Sequence, residues 1–311
     1  MVSITQLKDS GGVNNGGDDT NSALSANSTI TILAVNDAPV LTATSSNPTF
    51  IQGDGAVSLF TNSSAGTIES GQNISEMVIT ITNVTDGNNE VLNIDGTSIE
   101  LSDSNSGTTT TNTLSYSVAL TGTTATLTLT GGSMSTGEVQ TMIDGCSYQN
   151  NLDWPTINNR VVTITQLTDN GGTDNGGIKT ASLNLQSTAA VKIHTSQGST
   201  SWSATETWNF GTVPNANNNV IISAGDVVTA SSSTTINHLM IEETGQVQID
   251  GNSTILTINE TLTYDDNNAL SFSNSGSILL KGNILNKDGK IMLINETING
   301  LEIWSNFEIE Q

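Results

Sequence analysis

The stretch VVTITQLTDNGGTDNGG, residues 161–177, decides the fold. It alternates apolar residues with threonine and then breaks into Asp, Asn and Gly, as a strand with one buried face does on entering a tight turn. Nearly the same text, VSITQLKDSGGVNNGG, occupies residues 2–17. Val2 registers on Val162, Ile4 on Ile164, Leu7 on Leu167 and Asp9 on Asp169, an offset of 160. A period of that length is a whole domain and not a solenoid coil. Residues 34–193 therefore read as one complete module, and residues 1–33 as the closing hairpin of another. The chain is expected to be a piece of a longer array.

The same alternation recurs in MVITITNV (77–84), LSYSVAL (114–120) and ATLTLTGG (125–132), separated by segments such as TDGNNE and SDSNSGTTTTN. Many short antiparallel strands at this spacing predict a β-sandwich. One stretch departs from it. In SMSTGEVQTMIDG, Ser135 and Glu138 have capping-box spacing, and Val139, Met142 and Ile143 share a helical face. A single short helix is expected there, across one end of the sandwich.

After Ile193 the texture changes. Residues 194–201, HTSQGSTS, read as a linker. From 202 to 311, short apolar clusters such as Val220-Ile221-Ile222, Leu239-Met240-Ile241 and Ile278-Leu279-Leu280 recur between Gly and Asn. Such spacing predicts a parallel β-solenoid whose coils bury their faces only against one another. The expected fold class is thus all-β, an Ig-like sandwich with one helix followed by a β-helix segment. The last residues, LEIWSNFEIEQ, show no polar cap, so this end also reads as cut.

With 30 acidic and 7 basic residues the formal charge is −23. Seven scattered cations cannot neutralise a phosphate backbone, so nucleic acid is not an expected partner, nor is an anionic membrane surface. No apolar run has the length of a membrane span, and no membrane insertion is expected. An acidic surface does suit an extracellular setting and divalent cations. The lone Cys146 excludes a disulfide framework within the chain and reads as a small buried apolar residue.

At AVNDAPV, residues 34–40, the sequence resembles the junction of bacterial cadherin-like repeats of large surface adhesins and calcium-dependent secreted proteins. The similarity continues through FIQGDGAVSLF, TIESGQNIS, IDGCSYQN and NRVVTITQLTDNGG, covering roughly residues 1–193. SWSATETWNFGTVPNANNNVIISAGDVVT, from residue 201, looks like the opening of solenoid regions in secreted cell-surface proteins of bacteria, particularly Bacteroidota.

The junction has a physical reading of its own. Pro39 fixes its φ and pushes Ala38 toward extended geometry, which stiffens the connection. Asp37 then presents a carboxylate where two domains meet, and Asn36 a further oxygen. Calcium takes six to eight such oxygens. The resemblance implies that Glu69, in TIES, and Asp169, in LTDNGG, join them, with Asp54 in QGDG as a further addition. Each has a plainer alternative: Asp37 as a turn cap, Glu69 and Asp169 as solvated loop acids, and DNGGTDNGG as a hairpin loop with positive φ. Gln52 stands where relatives often carry Glu.

No recognisable nucleophile or zinc motif includes His194 or His238, and catalysis is not expected. The enzymatic rival is a polysaccharide lyase or hydrolase on the solenoid, for which Lys281, Lys287 and Lys290 are the candidate cations and Asp265-Asp266 reads as a turn. Trp202 and Trp208 could stack on sugar, but capping the open end of the solenoid fits them better. The resulting expectation is a calcium-stiffened structural or adhesive segment of a secreted or cell-surface protein. Its partners would be adjacent repeats of the chain and a surface polysaccharide or protein. A carbohydrate-binding or carbohydrate-degrading solenoid on a sandwich stalk is the alternative. An ice-binding threonine face is disfavoured, because threonine after residue 195 keeps no fixed register.

Overall fold

The repeat seen in the sequence is also a repeat of backbone geometry. The structure, a computed structural model, describes residues 1–21, 23–264, 269–273, 276–285 and 301–303. Strands β1 (Val2–Ile4) and β4 (Ala26–Ser28) pair, as do β2 (Leu7–Lys8) and β3 (Thr20–Asn21). Asp9 N–H donates to Asp19 O at 2.9 Å, and 160 residues later Asp169 N–H donates to Lys179 O at 2.9 Å. Leu7 opposes Asn21, as Leu167 opposes Ala181. Both loops turn through an Asn-Gly pair at positive φ, Asn15-Gly16 and Asn175-Gly176. These residues tolerate the left-handed region that the turn requires.

The second copy sits in a complete module. Its strands are β5 (Val40–Ser45), β6 (Thr49–Ile51), β7 (Val57–Ser58), β8 (Phe60–Gly66), β9 (Ile74–Thr82), β10 (Glu90–Ile94) and β11 (Thr97–Glu100). There follow β12 (Ser106–Thr108), β13 (Ser115–Thr121), β14 (Thr124–Met134), helix α1 (Thr136–Asp144), β15 (Ser147–Asn150), β16 (Asn159–Asp169) and β17 (Thr180–Lys192). A seven-stranded sheet, β12-β13-β14-β9-β16-β17-β6, shares one core with the sheet β11-β10-β15-β7 and the β5–β8 pair. Met77, Ile79 and Ile81 of β9 alternate into it, as do Val162 and Ile164 of β16, with Leu167 joining them after a shift in register.

Helix α1 forms where expected. Ser135 Oγ accepts from Glu138 N–H, and Glu138 Oε2 accepts from Ser135 N–H at 2.7 Å, a closed capping box. Val139, Met142 and Ile143 are its buried face. Cys146 is buried beside it, and burial pushes its thiol up to about 12. A thiol so far from ionisation is inert at neutral pH.

The chain then passes into the solenoid without a gap. Expected as a linker, residues 194–201 carry β18 (His194–Thr195), the first strand of the solenoid, separated from β17 only by the buried Ile193. The coils comprise β19 (Asn219–Ile222), β20 (Val227–Ala230), β21 (Thr234–Ile236), β22 (His238–Ile241), β23 (Gln246–Asp250) and β24 (Ile255–Ile258). They continue through β25 (Thr261–Thr263), β26 (Leu270–Ser273), β27 (Ser277–Leu280), β28 (Asn283–Leu285) and β29 (Leu301–Ile303). Three parallel sheets result: β18-β19-β22-β25-β28, β20-β23-β26 and β21-β24-β27-β29. Val220, Leu239, Leu262 and Ile284 stack as one inward column over about four turns. On the outer face Thr257 follows Thr235, but the next position is Leu279, so the threonine column stops.

Candidate functional site

Four of the five residues named for a metal are assembled by the fold at the entrance to the module. Asp169, at the end of β16, is 1 % exposed. Its Oδ1 accepts from Gly171 N–H at 2.8 Å and from Asn36 Nδ2 at 3.2 Å, while its Oδ2 has no partner. Asn36 is locked from three sides: Nδ2 donates to Ile178 O at 2.8 Å, its own carbonyl accepts from Ile178 N–H, and its Oδ1 accepts from Gln72 Nε2 at 2.6 Å. Gly171 lies so close that a Cβ there would meet Asn36 Oδ1 at 2.1 Å. Glu69, between β8 and β9, accepts Asp37 N–H on Oε1 at 3.1 Å and leaves a buried Oε2 unpaired. Asp37 itself is exposed, so its backbone is fixed to Glu69 while its carboxylate is free for solvent.

Gln72 was missed by the sequence reading. It stands three residues beyond Glu69 in the same loop, and its buried Oε1 is a third unpartnered oxygen. Nothing separates it in sequence from any other loop glutamine. A cavity of about 220 Å³, lined by Val35, Asn36, Glu69, Gln72, Gly172 and Asp174, opens at this cluster. Among the described residues no three of His, Cys, Asp and Glu converge on one point, so any cation here would be held by the buried Asp169 and the half-buried Glu69 helped by amide oxygens. Buried oxygens without hydrogen bonds are unfavourable unless a cation or water satisfies them, and that donor set suits a hard cation.

Asp54 does not join them, which corrects the expected ligand set. It lies in the turn after β6, where Oδ1 accepts from Asn218 Nδ2 at 2.7 Å and from Asn215 Nδ2 at 3.4 Å. Asp54 belongs to the seam between sandwich and solenoid. There β6 pairs in parallel with β17, Gln52 N–H donates to Lys192 O, and the buried Asn218 donates to Gln52 O. The adjacent Asn219 donates to Asp153 O in the loop between β15 and β16. Gly53 adopts φ +89°, and a Cβ on it would lie 1.9 Å from Asn217 O. Gly53→Ala is therefore expected to lower the melting temperature by several degrees in calorimetry, combining a backbone penalty of about 1–3 kcal/mol with a clash across the seam.

Both histidines line this seam. His194 is buried against Trp208 and Phe210, with ring centroids 6.4 and 5.2 Å away, and its Nδ1 has no partner. His238 shares a hydrogen with Thr261 Oγ1 at 2.5 Å, packs on the Trp154 ring and turns Nε2 toward Asp153 Oδ2 at 3.6 Å. Burial holds both imidazoles below the ordinary histidine range, against the pull of Asp54 on the first and of Asp153 and Glu260 on the second.

Trp202 and Trp208 are both buried, 5.0 Å apart edge to face, with Trp208 Nε1 donating to Trp202 O. They cap the first coil and offer no face to a sugar. Lys281 donates to Asn259 Oδ1, whereas Lys287, Lys290 and Asp265-Asp266 lie outside the described residues. No described helix is long and apolar enough to cross a membrane.

The G8 domain family matches residues 207–292, a span that begins next to Trp208 and leaves the sandwich outside. No curated protein and no solved structure matches the chain.

Proposed function

We propose that the chain is a structural or adhesive segment of a large secreted or cell-surface protein, in which a calcium-stiffened cadherin-like sandwich presents a β-solenoid. The observation that carries the reading is the cluster at the module entrance, where Glu69 Oε2, Gln72 Oε1 and Asp169 Oδ2 are buried without partners beside the Asn36-Asp37 junction. Asp169, Glu69 and Gln72 would hold the cation, with Asn36 orienting Asp169 and the Asp37 carboxylate within the same turn of chain. A divalent ion would neutralise two acids that otherwise repel and would tie the junction to both loops.

The hairpin of residues 1–33 supports an array of such modules. Its Val2, Ile4 and Leu7 are 57, 55 and 65 % exposed, whereas their equivalents Val162, Ile164 and Leu167 are fully covered by a sandwich body. An adjacent repeat would supply that cover. The G8 domain is typically found in extracellular proteins, and a formal net charge of −23 with a single cysteine is compatible with that setting. The parent would sit outside a bacterial cell, of the Bacteroidota kind by the resemblance of its solenoid, and would contact a surface polysaccharide or protein.

The test is thermal unfolding of the 311-residue chain with millimolar calcium and with chelator. A site occupied at 100 times its dissociation constant adds about 2.7 kcal/mol, so the melting temperature should rise by several degrees. In Asp169→Asn and Glu69→Gln the calcium-dependent rise should shrink or vanish, whatever happens to the baseline. An unchanged rise in both variants would remove the site from this junction. Release of reducing ends from a polysaccharide panel would overturn the structural reading in favour of an enzyme.

A further inference from the structure

We propose that the seam between sandwich and solenoid is an acid-released joint, clamped while His194 and His238 are neutral and loosened when they take up protons. Both of the chain's histidines are buried at this one interface. Each has a buried ring nitrogen with no hydrogen-bond partner, Nδ1 of His194 and Nε2 of His238. A neutral imidazole tolerates that environment, but an imidazolium must find an acceptor for its second N–H.

The available acceptors are the groups that hold the seam together. Asp54 is the charged group whose field acts on His194, which packs on the rings of Trp208 and Phe210. The Oδ1 of Asp54 is already occupied by Asn218 and Asn215 from the solenoid side. A charged His194 would compete for that carboxylate. At the other edge His238 faces Asp153, Glu260, the Thr261 hydroxyl and the Trp154 ring. The 3.6 Å from Nε2 to Asp153 Oδ2 is too long for a hydrogen bond, and closing it draws on the residue whose backbone carbonyl anchors Asn219. Protonation at either histidine thus pulls on a residue whose present partner is an asparagine of the first full coil.

The sign follows from burial. Both groups have folded values held below the ordinary 6.5, so the neutral state stabilises the joint above that pH. The stabilisation is lost as pH falls from about 6.5 through the folded values, because the opened state binds more protons. Carboxylates titrate lower, which leaves a window between about pH 5 and 6.5 where histidine acts alone.

Hydrogen exchange on the full chain in chelator, corrected for the intrinsic pH dependence of exchange, tests this between pH 7.5 and 5. Amides of β18, β19 and the turn 52–54 should exchange at least tenfold faster at pH 5, while β9 and β14 in the sandwich core stay protected. The double variant His194→Asn, His238→Gln should show no such acceleration. A flat profile in the native chain, or the native profile in the double variant, would overturn the proposal. If the double variant does not fold at pH 7.5, each single variant should take up one proton fewer on opening; unchanged uptake in both would overturn it equally. Because the metal cluster plays no part, failure here leaves the calcium reading untouched.

Discussion

Arg160→Met is expected to lower the stability of the sandwich by about 3–5 kcal/mol, the loss typical of a buried ion pair stripped of one partner. Arg160 is fully buried, and so is Glu90, which it meets through Nε to Oε2 at 2.8 Å and Nη2 to Oε1 at 3.0 Å. Nη2 also reaches Asp86 Oδ2 at 3.0 Å, and Nη1 donates to Thr156 O and Asn158 O. Tyr148 OH donates to Glu90 Oε2 at 2.8 Å. Burial works against the charge of Asp86, but hydrogen bonds from Thr156 and Asn150 and the nearby guanidinium outweigh it and keep its carboxyl below the usual range. Methionine fills much of the arginine volume, so the loss would come from the uncompensated Glu90 and not from a void. Urea unfolding of native and variant chains gives the difference directly. Glu90→Gln in the Arg160→Met background should recover part of it, and no recovery would show that packing carries the effect.

Trp208→Ala is expected to destabilise the solenoid by a similar amount, about 3–5 kcal/mol, as large-to-small changes at fully buried aromatics do. Trp208 is the largest fully buried side chain among the described residues, wedged against Trp202 and near His194 at the first coil. A solenoid gains its stability from neighbouring coils, and its first coil has a neighbour on one side only. Here the missing neighbour is replaced by the tryptophan pair and the sandwich seam. Hydrogen exchange should therefore show protection lost in β19, β22 and β25 while β9 and β14 keep theirs. Equal loss in both bodies would mean that they unfold as one cooperative unit.

Sandwich strands, the helix and the solenoid were legible because each has a period of its own. Met77, Ile79 and Ile81 alternate at two, Val139, Met142 and Ile143 sit at helical spacing, and Val220, Leu239 and Leu262 recur at coil length. The junction residues Asn36, Asp37, Glu69 and Asp169 were found through resemblance, and the fold brings them together. Asp54 was misplaced because a Gly-flanked acid in a loop looks alike whether it faces a cation or an asparagine. Gln72 carried no signal at all. His194 and His238 read as a linker residue and a strand-edge residue, since the burial of the first depends on Trp208 and Phe210 folding back over it and that of the second on Trp154, from a distant loop of the sandwich.

The sequence by itself determined what depends on local order: the 160-residue repeat, the strand periods, the capping box of Ser135 and Glu138, and a strongly acidic composition. Tertiary structure alone decided which distant groups meet. It put Arg160 against Glu90, left oxygens of Glu69, Gln72 and Asp169 buried without partners, and made His194–Thr195 the first strand of the solenoid. The physical reason is range. Backbone preference and side-chain alternation act over a few residues and are written in consecutive letters, whereas burial and hydrogen-bond pairing act over ångströms between segments that only the folded chain makes neighbours.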